Sequence, residues 1–136
     1  MKSIKEYLTE EMVRMSAFYL SRASMPQIQN LEKFQDWFEE KGIRTDKLMV
    51  VTSIVKPVQS DFDQTKVDKI KAERPSDGVQ KKPIVTDEDY YILDGHHRYF
   101  ANLQDNERET WLVKVDLPIN KLLHMAYQYK EEFPDG

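Results

Sequence analysis

The chain has 136 residues, of which 32 % are charged and 40 % are apolar, a composition typical of a globular domain with a hydrophobic core. The absence of cysteine excludes disulfides, thiolate catalysis and cysteine-ligated zinc, and it fits a reducing compartment such as the cytoplasm. A net charge of −4 disfavours broad binding to nucleic acid, and no apolar run approaches the length of a membrane span, so we expect no membrane partner.

The first 47 residues are predicted to form a helical extension. Apolar residues at helical spacing predict one helix over residues 4 to 20 and a second over residues 29 to 41, which Gly42 ends at the C′ position. The aromatic stripe of the second helix is expected to lie in the core rather than to bind a ligand, and it consists of Phe34, Trp37 and Phe38. Residues 1–10 could instead be a detachable leader.

Residues 48–136 are predicted to form one domain of short strands and helices. Alternating or β-branched residues predict strands over residues 48 to 55, 83 to 85, 90 to 93 and 110 to 115, with an acidic hairpin at residues 86–89. Ser60 or Asp63 can cap a helix that runs to about Glu73. A last amphipathic helix follows residue 119, and its predicted inward face consists of Leu122, Leu123, Ala126 and Tyr127.

One short stretch, residues 91–102, combines several chemically active side chains and reads YILDGHHRYFAN. A buried strand ends at Leu93 and a helix continues from Tyr99, so Asp94-Gly95 is predicted to join a strand to a helix. The amides of residues 96–99 would open this helix, where the helix dipole favours an anion. Gly95 lets the backbone approach an anion closely, and the guanidinium of Arg98 matches phosphate oxygens.

Each of these residues also has an ordinary structural role that the sequence leaves open. Arg98 could pair with a carboxylate, His97 could make a hydrogen bond within the turn, and Asp94 could cap the helix. Of two adjacent histidines, one usually points away from a site, and His96 could be that residue. The three histidines lack the spacing of a metal site, so no histidine-based metal centre is predicted.

Residues 48 to about 128 resemble the ParB/sulfiredoxin superfamily in two separate motifs. Residues 56–67, KPVQSDFDQTKV, are similar to the sulfiredoxin segment in which Arg-Pro precedes an Asp-capped helix and Lys-Val. Residues 83–85, PIV, followed by residues 93–99, LDGHHRY, are similar to that family's second box, which reads FGGCHRY. The resemblance implies an α+β fold with a small mixed β-sheet of the ParB/sulfiredoxin type, to which the N-terminal helices are added.

The resemblance also implies a nucleotide site. Within this superfamily the second box binds nucleotide phosphates, which assigns cofactor-binding roles to Gly95, His97 and Arg98. Lys66 lies where sulfiredoxins place a lysine that contacts the nucleotide, although an exposed helix lysine without a ligand is an equally ordinary interpretation.

Two departures from the sulfiredoxin and kinase patterns limit the reactions that the site could catalyse. His96 stands where sulfiredoxins carry the catalytic cysteine, so sulfiredoxin activity is excluded. The sequence Asp-Gly-His-His-Arg instead resembles free serine kinases that use ADP or ATP on the same fold. Those kinases carry a catalytic glutamate in a Lys-Pro-x-Glu segment, whereas this chain has Gln59, whose neutral amide cannot act as a base. Asp61, Asp63 or Asp94 could take its place.

We therefore expect a protein that binds ATP or ADP, with Mg²⁺ entering alongside the phosphates, and that transfers a phosphoryl group to a small hydroxyl acceptor or hydrolyses the nucleotide. Asp94 and His96 are the candidate catalytic residues, Asp94 as general base or metal contact. Two alternatives stay open: a ParB-like module that binds DNA or a protein or acts as a nuclease, and a nucleotide-binding pseudoenzyme. Residues 1–10 resemble the openings of small proteins of large tailed phages, which implies the host cytoplasm or the virion as the location.

Overall fold

The computed structural model describes residues 25–58, 62–74 and 82–136. The predicted helix over residues 4 to 20, the candidate leader and Gln59 lie outside the described residues. In chain order, the elements are α1 (Leu31–Glu40), β1 (Thr45–Val51), a 3-10 turn (Thr52–Ile54), α2 (Gln64–Ala72), β2 (Ile84–Thr86), β3 (Ile92–Asp94), α3 (His96–Gln104), β4 (Glu109–Val115) and α4 (Ile119–Glu132). No helix in these three ranges is long and apolar enough to span a membrane.

The strands form one mixed sheet in the order β1-β4-β2-β3. β1 pairs antiparallel with β4, with Thr45 opposite Val115 and Val51 opposite Glu109. β2 pairs antiparallel with β3 through the predicted hairpin, and it pairs parallel with β4. This sheet with its helices confirms the predicted α+β class.

One face of the sheet is covered by α1 and α4. Asn30 caps α1 by accepting a hydrogen bond from the Lys33 amide, and Gly42 follows the C-cap with φ +79°, as the sequence predicts. The predicted aromatic stripe lies in this layer together with Leu122, Ala126 and Tyr129, and these side chains pack on the sheet residues Val85, Leu93 and Val115. Burial of this apolar surface supplies most of the stabilisation on this side.

The other face of the sheet carries α3, and α2 lies beside α3. Ile84, Ile92 and Leu112 of the sheet pack against Val55 and Tyr99. Asp63 caps α2 by accepting a hydrogen bond from the Thr65 amide at 2.9 Å, which confirms one of the two predicted caps. At the other end of α2, Arg74 contacts Asn102 and Asp105 of the α3 region and holds the two helices together.

Several predicted boundaries differ from the structure. β1 begins at Thr45 and ends at Val51 rather than spanning residues 48 to 55, because its pairing with β4 runs from Thr45 opposite Val115 to Val51 opposite Glu109 and a 3-10 turn follows. Helix α3 already begins at His96, since the chain turns directly at Gly95. The prediction that Tyr127 faces inward is wrong. Its side chain is 41 % exposed, because the buried stripe of α4 continues from Ala126 to residue 129 at helical spacing.

Candidate functional site

The junction between β3 and α3 is formed by Gly95 in a left-handed conformation, with φ +104° and ψ 24°. A Cβ at this residue would lie 2.9 Å from Nη2 of Arg98 and 3.1 Å from Cγ1 of Ile84. Glycine is therefore required both by the positive φ and by the close approach of the guanidinium. The first helical hydrogen bond runs from the Tyr99 amide to the Gly95 carbonyl, so the amides of residues 96–98 precede the hydrogen-bond ladder of α3.

Arg98 lies across this junction, and one of its three nitrogen atoms contacts acceptors in the described part of the chain. Nη2 donates to the Pro83 carbonyl at 3.2 Å and lies 3.6 Å from Oδ2 of Asp94. Among the described residues no acceptor contacts Nη1 or Nε, although Nε is buried. The ion pair with a carboxylate that the sequence left open is thus present between Arg98 and Asp94, but it involves only Nη2 of the guanidinium. The remaining N–H groups are suited to an anion, because a buried donor without an acceptor costs free energy.

Asp94 is the last residue of β3, and Gly95, not Asp94, occupies the N-cap of α3. The carboxylate is 15 % exposed, and its Oδ2 accepts a hydrogen bond from the Ile28 amide at 3.1 Å. Burial raises the pKa of Asp94 above its ordinary value, while the Arg98 guanidinium and the Ile28 and Gly95 amides oppose the rise. A carboxylate with a raised pKa beside an arginine is a candidate for proton transfer.

His96 and His97 point to different parts of the fold. His96 is buried, and its Nε2 accepts a hydrogen bond from the Val58 amide at 3.1 Å. His97 is half-buried, and its Nε2 accepts a hydrogen bond from the Asp63 amide at 3.1 Å. This hydrogen bond joins His97 to the cap of α2.

The predicted site residues line one cavity of about 430 Å³. Four cations, Lys66, Lys69, Lys82 and Arg98, reach this cavity, and Asp94 is the one carboxylate among its described lining residues. Neither Lys66 nor Lys69 makes an ion pair with a described residue. The apolar part of the lining consists of Met25, Pro26, Ile28, Ile70 and Leu93. The cavity thus combines an excess of positive charge with an apolar wall.

The structure brings together all six predicted site residues, Lys66, Asp94, Gly95, His96, His97 and Arg98, and it adds others that the sequence did not indicate. Lys69 had a signal in the sequence, because it follows Lys66 by three residues and shares its helix face. Lys82 and residues 25–29 had none. They reach the site through tertiary contacts, such as the hydrogen bond between Ile28 and Asp94, which are 66 residues apart.

The metal contact and the catalytic base stay predictions. Within residues 25–58, 62–74 and 82–136, no group of three or more histidine, aspartate or glutamate side chains could hold a metal ion. Since Asp94 alone supplies a carboxylate to the described lining, a magnesium ion would depend on the phosphates that accompany it. Asp61 lies outside the described residues, and Asp63 is engaged as the cap of α2.

Comparison with solved structures places this fold in a known class. The chain is similar to a structure described as a Pnob8-like ParB-N domain, with a TM-score of 0.51 and 17 % sequence identity. The match covers 67 % of this chain and 38 % of that chain, so this chain spans well under half of that protein. Neither a protein-family model nor a curated protein matches the sequence. The fold is therefore ParB-N-like, as the sequence predicts.

Proposed function

We propose that the cavity beside Arg98 binds the phosphate groups of a nucleotide, ATP or ADP. The observation that carries this proposal is the guanidinium of Arg98, which keeps Nη1 and Nε without an acceptor among the described residues. This group lies at the amino end of α3, where the helix dipole adds a partial positive charge. Gly95 removes the side chain that would keep an anion away from this end of the helix.

The charge balance of the cavity supports a phosphate-bearing ligand. Even without Lys82, three cations (Lys66, Lys69 and Arg98) face the one carboxylate of the described lining, so positive charge is in excess there. A ligand with two or three phosphates neutralises this excess, and the concave wall around it strengthens the attraction. The apolar residues of the lining, Met25 and Ile70 among them, offer a surface for the remainder of a nucleotide.

The reaction proposed for this site is transfer of the terminal phosphoryl group to a small hydroxyl acceptor. The acceptor oxygen attacks the terminal phosphorus, the bond to the bridging oxygen breaks, and Asp94 takes the hydroxyl proton. The raised pKa of Asp94 supports this role, because a base is more effective when its pKa lies closer to the working pH. Arg98 and the lysines would stabilise the charge on the leaving phosphate.

Calorimetric titration with Mg-ATP, Mg-ADP and Mg-CTP tests the binding step. Arg98→Ala should weaken nucleotide binding by about 1.5–3 kcal/mol, or roughly 10- to 150-fold, because it removes charge-assisted hydrogen bonds. Arg44→Ala is the matched control, since Arg44 is 75 % exposed and its ion pair in the described part of the chain is with Asp46 on β1. Absence of binding at millimolar nucleotide, or equal affinities for the wild type and Arg98→Ala, would contradict the proposal.

A turnover assay with small hydroxyl acceptors tests the catalytic step. If Asp94 is the base, Asp94→Asn should lower phosphoryl transfer by about 10²–10⁴-fold while nucleotide still binds. If the base is missing, as Gln59 suggests, the wild type should be nearly inactive and Gln59→Glu should raise transfer by a large part of the same factor. Inactivity of wild type and Gln59→Glu, with nucleotide bound, would identify a binding protein without turnover.

The salt dependence of binding distinguishes a nucleotide site from the competing proposal, a ParB-like module that binds DNA. Binding to DNA releases counterions, so its affinity should fall steeply between about 50 and 200 mM salt, by about 10³–10⁵-fold for 6–10 phosphate contacts. If any DNA binds at the proposed nucleotide site, Mg-ATP should compete with it, and Arg98→Ala should weaken the binding of both ligands. DNA binding that persists in the presence of saturating nucleotide would favour the module.

A further inference from the structure

The two adjacent histidines accept hydrogen bonds from two different backbone amides. Nε2 of His96 accepts from Val58 and Nε2 of His97 accepts from Asp63, each at 3.1 Å. A ring nitrogen that accepts a hydrogen bond carries no proton, so the proton of a neutral ring lies on Nδ1 in both histidines. Neither Nε2 is therefore in a state to donate a hydrogen bond to an anion.

The two amides belong to structural elements that border the cavity. Val58 is fully buried and packs with Met25, a residue of the cavity wall. Asp63 is the N-cap of α2, the helix that presents Lys66 and Lys69 to the cavity. His96 therefore holds the chain after Lys56-Pro57, and His97 holds the beginning of α2.

The adjacency of the two histidines has a geometric reason. Successive residues in an α-helix point about 100° apart, since 3.6 residues complete one turn. Two neighbouring side chains in the first turn of α3 can therefore reach two separate elements, whereas residues one turn apart would point the same way.

We infer that His96 and His97 are positioning residues, which fix Val58 and the cap of α2 so that the α2 lysines face the Arg98 cavity. They act through the amides of Val58 and Asp63 rather than by contacting the ligand through Nε2. The effect on affinity rests on the proposed function, whereas the two hydrogen bonds do not depend on it.

Two substitutions of His97 separate a positioning role from direct contact with an anion. Gln carries an acceptor oxygen near the location of Nε2, so His97→Gln should preserve the hydrogen bond from Asp63. Leu has no acceptor, so His97→Leu should remove it. His96 is buried, and its replacement could unfold the chain, so its role is tested in the wild-type protein by the ¹⁵N shift of its Nε2.

The experiment uses ¹⁵N-labelled full-length protein and inorganic pyrophosphate as the anion. We expect pyridine-like, unprotonated ¹⁵N shifts for Nε2 of both histidines at neutral pH. His97→Leu should accelerate exchange of the Asp63 amide by about tenfold, the equivalent of one hydrogen bond, and weaken pyrophosphate binding several-fold. His97→Gln should restore both quantities to within about twofold of the wild type.

Other outcomes would overturn the inference. A protonated Nε2 on either ring at neutral pH, or an Asp63 amide that exchanges equally fast in the wild type and His97→Leu, would exclude the positioning role. Equal loss of pyrophosphate affinity in His97→Gln and His97→Leu, with the Asp63 amide still protected in His97→Gln, would mean that His97 contacts the anion directly. If wild type binds no pyrophosphate, the proposed function fails, and the ¹⁵N shifts and amide exchange still decide the positioning role.

Discussion

On one face of the sheet, α1 and α4 bury Phe34, Phe38 and Tyr129 completely, and the ring of Phe34 lies 4.7 Å from that of Phe38 and 5.2 Å from that of Tyr129. Around the other two helices, α2, the beginning of α3 and the residues before β2 bring like charges together, and donors of Arg98 have no acceptor among the described residues. The first arrangement stabilises the fold. The second costs stability, and such a cost is typical of a surface that binds a ligand.

The largest effect on stability is expected on the face of the sheet that α1 and α4 cover. Phe38→Ala should lower the free energy of unfolding by about 3–5 kcal/mol, because it leaves a cavity in a fully buried cluster. Phe62→Ala is the control, since Phe62 is 39 % exposed and stacks on Phe100. Denaturant unfolding measures both. A cost for Phe62→Ala equal to that for Phe38→Ala would remove the distinction between the two faces.

An intermediate effect is expected at the strand-to-helix junction. Gly95→Ala should lower the free energy of unfolding by roughly 1–3 kcal/mol, because alanine is strained at φ +104° and its Cβ displaces the Arg98 guanidinium. Gly42→Ala isolates the backbone strain, since Gly42 has φ +79° with nothing within 4 Å of an added Cβ. Calorimetry should show lost nucleotide affinity for Gly95→Ala alone. Equal behaviour of the two variants would contradict the close approach at Gly95.

Smaller effects on affinity are expected from the lysines of the cavity. Lys66→Ala and Lys69→Ala should each weaken nucleotide binding by about 0.2–1 kcal/mol at low salt, because exposed charges interact weakly through solvent. The effect should shrink as the ionic strength rises. Lys47→Ala on the distant edge strand β1 should leave affinity unchanged, and a comparable loss there would mean that net charge alone drives binding.

The pH dependence of stability tests the burial of Asp94. In the folded protein the pKa of Asp94 is raised above its unfolded value of about 3.9. The contribution of Asp94 to stability is therefore fully present below the unfolded pKa and is lost as the pH rises through the folded pKa. Asp94→Asn cannot ionise. The unfolding free energy of the variant relative to wild type should therefore increase as the pH rises through this window. A decrease would mean that Arg98 and the amides outweigh burial.

Local signals made much of this fold predictable from sequence. The Gly42 helix end, the Asp63 cap and the Asp94-Gly95 junction each depend on residues close together in the chain. Features that depend on distant partners were missed. The ends of β1 follow from its register with β4, and the contact of residues 25–29 with the site follows from the bond between Ile28 and Asp94. Neither feature could be predicted from the sequence, because contacts between segments far apart in the chain produce no periodic pattern of residues.

The most direct test of a phosphate site at the beginning of α3 is to locate the phosphates of a bound nucleotide. Addition of Mg-ADP to ¹⁵N-labelled protein should shift the amide signals of residues 95–98 and the guanidinium signal of Arg98 more than those of α1 and α4. At a ligand concentration near the wild-type Kd, the amide shifts should be much smaller in Arg98→Ala. Shifts confined to other surfaces, or saturable binding that leaves residues 95–98 unperturbed, would contradict a phosphate site at the beginning of α3.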